Sequence, residues 1–312
     1  MAIPSGTLTG TSAISNLVQT AYDQYVRMAL RSIPVMRALA DVKPVQQAMP
    51  GSSVVFSIYS DLAQATSTLT ESTDVSSIAL GNPNQVTVTL QEYGSAVTTT
   101  KKLNLTSFND VDSALADIIA YNAADSIDAV VASVLTSGSN AIYAGYTATN
   151  TAGITANALI SVSDIRQAVT ELRTNQALPR IGELYAAYLH PRQTADLRAE
   201  TGTGGFQDLS KYVDRTPFVA GAVGVIEGAF VVETPRVPFA ANTNSPAVNV
   251  YKAVIAGREA LAEAQGQDIS TVIGPQIDAL RRFHTIGWYY FGGWSLLRQA
   301  AIYRVETSAT NG

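Results

Sequence analysis

The sequence predicts an α+β fold, and three observations carry that prediction. Apolar residues recur at spacings of three and four over 13–32, 109–138 and 161–176, the period of a helix with one buried face. They alternate at period two over SVVFSIYS (53–60) and QVTVTLQEYGSAVTTT (85–100), the period of a strand. Helices and strands are mixed without the regular strand–helix–strand rhythm of a parallel α/β sheet, and there is no internal repeat.

The chain is 312 residues long and 46% hydrophobic, enough for a large core in one big domain or two intertwined ones. Charged residues make up only 14%, against about 25% in ordinary soluble domains. Protein interfaces deplete charge at their buried centres, so this value suggests a surface largely covered by other subunits. The formal net charge of −5 argues against a dedicated nucleic-acid binder, which would carry a basic patch. No apolar run approaches the roughly 20 residues that span a bilayer, so no membrane partner is expected. The start, MAIPSGTLTGTSAIS, has no basic residue ahead of an apolar stretch and does not read as a secretory signal. Cysteine is absent, which excludes disulfides and thiolate metal sites.

In chain order, 13–32 carries a stripe of Ile14, Leu17, Val18, Ala21, Tyr22, Tyr25, Val26 and Ala29, capped by Ser12 and ended by Pro34. Pro34, Pro44 and Pro50 punctuate the connecting stretch, so residues 1–50 read as an N-terminal arm with an amphipathic helix. Arg27, Arg31, Arg37 and Lys43 are expected on a solvated or salt-bridged face. Residues 51–103 read as one long hairpin: Val54, Phe56 and Ile58 form one face of its first strand, and Val86, Val88 and Leu90 one face of its second. The Ser- and Thr-rich middle is too long for a loop inside a compact domain. An isolated hairpin is marginal in water. Both objections vanish if the arm lies on another molecule.

Residues 109–138 give the strongest helix, with Asn109 as cap, Asp110 and Asp112 in the first turn and Gly138 at the end. Its stripe is Val111, Leu115, Ile118, Ile127, Val130, Val134 and Leu135. The next helix, 161–176, opens on Ser161 and Asp164 in capping-box spacing and turns Ile165, Ala168, Val169 and Leu172 inward. LYAAYL (184–189) reads as a buried strand, and HPRQTADLRAE as a short helix with Pro191 in its first turn. Strands are expected in GVIEGAFVVETP, VNVYKAVIAG and LLRQAAIYRVET. In FHTIGWYYFGGW (283–294), Ile286, Trp288 and Tyr290 share one face and Tyr289 and Phe291 the other. Aromatics on both faces imply burial on both, and Gly292 and Gly293 predict a bend or bulge before the next strand.

Nothing in the sequence assembles a reaction centre. His190 and His284 lie far apart and in no metal-binding spacing, and each reads as a satisfied structural residue. TGTGGF (201–206) lacks the Lys-Ser/Thr of a phosphate loop, GAVGVIEG (221–228) is not a dinucleotide fingerprint, and no GxSxG occurs. Glu227, Glu233, Glu259 and Glu263 are expected to face solvent. No catalytic residue, cofactor or metal is therefore assigned.

The order of these parts resembles the major capsid proteins of tailed double-stranded DNA bacteriophages, which share the Hong Kong 97 fold. QEYGSAVTTTKKLNLTSFNDVDSALADIIAYNAADSIDAVVASVLTSG is similar to their passage from extended loop through a polar bend to a spine helix. LYAAYLHPRQTADLR resembles a strand and short helix of their axial domain, and GAVGVIEGAFVVETPRVP a segment that comes after it. VNVYKAVIAGREALAEA and DALRRFHTIGWYYFGGWSLLRQAAIYRVE resemble the C-terminal strands, above all in the branch typified by the coat protein of N4-like phages. The resemblance implies an arm at 1–50, an extended loop at 51–103, a peripheral domain at 104–160 and 270–312 with its spine helix at 109–138, and an axial domain at 161–269. It implies a homo-oligomeric capsid subunit of the virion, assembled in the host bacterial cytoplasm into hexamers and pentamers around packaged double-stranded DNA, with decoration, portal and scaffolding proteins as further partners. Tyr22, Tyr25, Val26, Phe56, Ile58, Val86, Val88, Trp288 and Tyr290 are the expected subunit-interface residues. Some members cross-link covalently through a lysine in the extended loop. Here residues 51–100 hold neither lysine nor arginine, so no such cross-link is expected. An encapsulin-like compartment shell and a soluble oligomeric α+β enzyme are the alternatives.

Overall fold

The computed structural model describes residues 33–44, 52–106 (except 70, 73 and 76), 111–201 (except 147), 205–206, 224–274 (except 244–246), 280 and 282–310. The expected helix at 13–32, with Tyr22, Tyr25 and Val26, lies outside these residues, as do residues 202–204 of the glycine-rich loop at 201–206.

A short 3₁₀ turn, Met36–Leu39, leads into β1 (Ala40–Pro44). The hairpin strands β2 (Ser53–Ile58) and β3 (Asn84–Thr89) pair antiparallel, from Ser53 opposite Thr89 to Ile58 opposite Asn84. The second period-two run divides at Leu90: β3 stays with the hairpin, and β4 (Gln91–Thr100) joins a different sheet. The expected polar bend is a short helix, α1 (Lys101–Thr106), where Thr100 Oγ1 accepts from the Leu103 amide at 3.2 Å. The spine comes next as α2 (Val111–Leu135), then β5 (Ala141–Tyr143) and α3 (Val162–Thr174). Ser161 and Asp164 form the expected capping box on α3.

β6 (Tyr185–Leu189) is buried at every position and runs into α4 (Pro191–Ala199). His190 caps α4: its ring nitrogen accepts from the Arg192 amide at 3.2 Å, and Gln193 Oε1 accepts from the His190 amide. β7 (Val225–Ile226) and β8 (Ala229–Glu233) make a tight hairpin, with Glu227 and Gly228 both at positive φ. The chain ends in β9 (Phe239–Ala241), β10 (Asn249–Ala256), β11 (Leu261–Ile273), β12 (Phe283–Leu296) and β13 (Ile302–Thr307).

Two larger sheets organise these elements. One has four strands in the order β1-β11-β12-β4, with β1 parallel to β11 and the other pairs antiparallel. The other has seven, in the order β5-β13-β10-β6-β8-β7, with β9 added to β10. β6 shows why both faces of the second sheet are apolar. Tyr185, Ala187 and Leu189 point into a core shared with α3 and α4, while Ala186 and Tyr188 point into a core shared with α2. Alternate side chains of a strand face opposite ways, so one apolar strand serves two cores.

α2 packs on β12 through Ile119, Ala123, Ile127, Val131 and Leu135, a row of steps of four residues. The expected stripe is displaced by part of a turn: Ile118 is 43% exposed, while Ile127 and Leu135 are buried as expected. Leu115–Leu135 is long and apolar enough to cross a bilayer by length and composition, unlike the sequence expectation. Its buried row and the paired, buried Asp128 belong to a core helix.

The expected division at 161 and 270 does not follow the sheets. β5 and β13, assigned to the peripheral part, pair into the seven-stranded sheet, and β11 begins the four-stranded sheet at Leu261. Strand pairing across long sequence separations overrides contiguity here.

Gly292 and Gly293 both lie inside β12, and a register shift with β11 falls beside Gly292, between the Gln265–Gly292 and Gln267–Phe291 pairs. A Cβ at Gly293 would collide with the Thr89 carbonyl oxygen, and one at Gly292 would stand 2.8 Å from the Ala264 oxygen. They are there for close backbone approach. The register irregularities fall on the partner strand β11, at Gln265–Gln267 and Gln267–Ser270.

Candidate assembly interface

Two segments are fixed to the body by buried contacts: Met36–Pro44 and the base of the hairpin. The arm is rooted at Met36–Pro44. Met36 and Leu39 are fully buried beside α2. Asp128 of α2, itself buried, accepts from the Met36 amide at 2.6 Å and the Arg37 amide at 3.2 Å. Its other oxygen takes the Arg236 Nε–H at 2.6 Å, and Arg236 also pairs with Asp125. Buried charge is tolerated only when paired and hydrogen-bonded, and this cluster meets both conditions.

A second cluster forms around the Arg37 side chain. Arg37 grips Glu263 of β11 through Nε and a terminal nitrogen, the latter at 2.6 Å, and Tyr290 donates its hydroxyl to Glu263 at 2.8 Å. Burial and the neighbouring carboxylate hold the Tyr290 phenol well above its ordinary range, so it remains a donor. The sequence expectation for Glu263 is overturned: it is wholly buried, because Arg37 and Tyr290 satisfy it. Glu233 and Glu259 are exposed as expected, and Glu227 is half-buried with Arg166 2.9 Å away. Arg37 meets its salt-bridge expectation.

The hairpin is rooted by Val88 and Leu90, which pack on Ala262 and Ala264, and by a Leu90 N–H to Ser52 carbonyl bond of 2.7 Å. Gly293 lets β12 approach this root. Beyond it, 59–83 contains no helix or strand among the described residues. That segment exposes Tyr59, Leu62, Leu69, Val75, Ile78 and Leu80, with Leu69 at 77%.

Phe56, Ile58 and Val86 lie half-buried along the hairpin, near this apolar run. Val88, Trp288 and Tyr290 do not reach the surface, so the sequence expectation is corrected for all three: they are core of this chain. Trp288 packs against α2 and donates its indole N–H to Asn122 at 2.9 Å. Tyr290 stacks on Trp294 at 5.2 Å. The opposite face of β12 is only partly covered: Tyr289 and Phe291 are half-exposed. Asp128 and Glu263 were not legible as anchors, since their partners lie 92 and 226 positions away in sequence. The side chains of His284 and Arg281 lie outside the described residues. No cluster of three or more metal-ligating side chains occurs among the described residues.

A body of two sheets and a spine helix, with an anchored apolar hairpin, matches a structural subunit of the Hong Kong 97 type. The chain belongs to the phage capsid protein family, whose model matches residues 11–301. It is a structural subunit of an icosahedral phage capsid and a component of the virion. The fold is similar to the capsid of cyanophage P-SCSP1u, at TM-score 0.74 and 17% identity over 95% of this chain and 94% of that one. It is also similar to the cyanophage Pam1 capsid, at TM-score 0.70 and 13% identity over 98% and 100%. The head of Helicobacter pylori bacteriophage KHP40 matches at TM-score 0.69 and 15% identity over 94% and 97%. No curated protein matches the chain.

Proposed function

We propose that the subunit tiles the shell as hexamers and pentamers around packaged double-stranded DNA, with its hairpin lying over one neighbour and its arm reaching another. One observation carries this reading: 59–83 is uncovered and apolar, yet springs from a root fixed by buried contacts. A segment that served only its own chain would be packed on it. The seven-stranded sheet with α3 and α4 corresponds to an axial part, and the four-stranded sheet with α2 to a peripheral part. Phe56, Ile58 and Val86 are hairpin interface residues; Tyr22, Tyr25 and Val26 belong to the arm's contact.

DNA contact is nonspecific in this reading, because a net charge of −5 offers little counterion release. Portal, scaffolding and decoration proteins complete the particle, and assembly takes place in the host bacterial cytoplasm. Mass photometry and electron microscopy of the expressed protein test the proposal. Megadalton icosahedral particles with pentameric vertices are expected. A discrete dimer or tetramer overturns it, and particles dedicated to cargo protein replace it with a compartment shell. Tight DNA binding by free subunits at physiological salt overturns the nonspecific contact.

A further inference from the structure

We propose that a groove at the base of the hairpin receives the 59–83 segment of a neighbouring copy. This rests on the reading that the segment lies on a neighbour, and it names the receiving site. The groove opens between β1 and β2, with Val42, Phe56 and Leu297 as its apolar lining. Its acids are already engaged: Asp41 with Arg180 at 3.3 Å, and Glu259 with Arg298 at 2.7 Å. Two cations at the groove remain without an ion-pair partner among the described residues. Lys43 Nζ lies 5.0 Å over the Phe56 ring and 3.5 Å from the Val55 carbonyl oxygen, and Arg258 is exposed.

The 59–83 segment is the complement of that surface. It carries Asp61, Glu71 and Asp74 and no lysine or arginine. Each acid lies within two positions of an exposed apolar residue: Leu62, Leu69 and Val75 respectively. An apolar floor with cations at its rim fits an apolar segment studded with carboxylates, and complementary charge fixes register between partners. Such a contact joins two different surfaces of one chain, the arrangement that closes into rings.

The test uses wild-type shells assembled from mixed ¹⁵N-labelled and unlabelled subunits. A carbodiimide joins carboxylates to amines without a spacer, and mass spectrometry identifies the pairs. The chain has five lysines, so the readout is sparse. Lys43 joined to Asp61, Glu71 or Asp74 in mixed-isotope pairs is the expected result. Mixed-isotope links from those acids to Lys101 or Lys102, with none to Lys43, overturn the groove and leave the hairpin reading standing. Same-isotope links alone overturn both, and absence of any link to Lys43 overturns the groove. In a second arm, Lys43→Glu with Arg258→Glu is expected to lose shell assembly while circular dichroism shows a folded subunit. Adding Asp61→Lys, Glu71→Lys and Asp74→Lys restores assembly. Unimpaired assembly of the first variant, or no restoration by the second, overturns the proposal.

Discussion

Arg37 and Glu263, 226 positions apart, form a multiply hydrogen-bonded ion pair in which the Glu263 side chain is wholly buried and the Arg37 side chain is 31% exposed. The pair fastens the arm to β11, and Tyr290 completes it from β12.

Arg37→Ala leaves the Glu263 carboxylate buried with only Tyr290 as donor. Removing one partner of a fully buried pair costs about 3–5 kcal/mol. The exposed part of Arg37 is screened, so a loss of about 2–3 kcal/mol is expected here. Urea denaturation of the unassembled subunit measures it, and an unchanged midpoint would show that the pair is not an anchor.

His190 caps α4 as a neutral acceptor. Burial and Arg192 pull its pKa below the ordinary histidine value, while Glu233 pulls the other way; Tyr251 and Phe239 pack against the ring. A depressed folded value means that stability is present above the unfolded pKa of about 6.5 and falls as pH drops toward and through the folded value. His190→Asn keeps a capping side chain and does not titrate. Its thermal midpoint is expected to vary less between neutral and mildly acidic pH than the wild type's. Parallel curves for the two proteins would exclude the cap as the titrating element.

Trp288→Ala removes a large side chain from the core under α2. A cost of about 3–5 kcal/mol is expected, and Trp288→Phe, which loses chiefly the bond to Asn122, should cost less. Equal effects on denaturation would show that the hydrogen bond, not packing, dominates.

Gly293→Ala drives a methyl into the Thr89 carbonyl, whereas a Cβ at Gly81 meets nothing within 4 Å. The first substitution is expected to destabilise the hairpin root, seen as faster amide exchange at Val88–Leu90; Gly81→Ala is expected to leave those amides unchanged.

A boiled denaturing gel of assembled shells is expected to show a single 32.9 kDa band. A ladder of covalent oligomers would refute noncovalent closure of the shell.

The local devices were legible because they depend on neighbours in sequence. Ser161 with Asp164, the β2–β3 pairing and the inward face of Ile286, Trp288 and Tyr290 all follow from spacing. The failures share a cause in long-range contact. Gly293 looks like a bend until Thr89 is brought against it. Glu263 looks solvated until Arg37 arrives from the other end of the chain. Leu90 continues an alternating run, yet the strands on either side of it pair in different sheets. Ile118 looks equivalent to Ile119 by composition; only the position of β12 selects which side of the spine is buried.

β11 places Ala262 and Ala264 on one side and Glu263 on the other. The two alanines seat the hairpin, and the glutamate between them holds the arm. The roots of the arm and of the hairpin thus share three successive residues of β11. A single stretch of β11 therefore serves two roots, and a backbone shift at Glu263 would be felt at both.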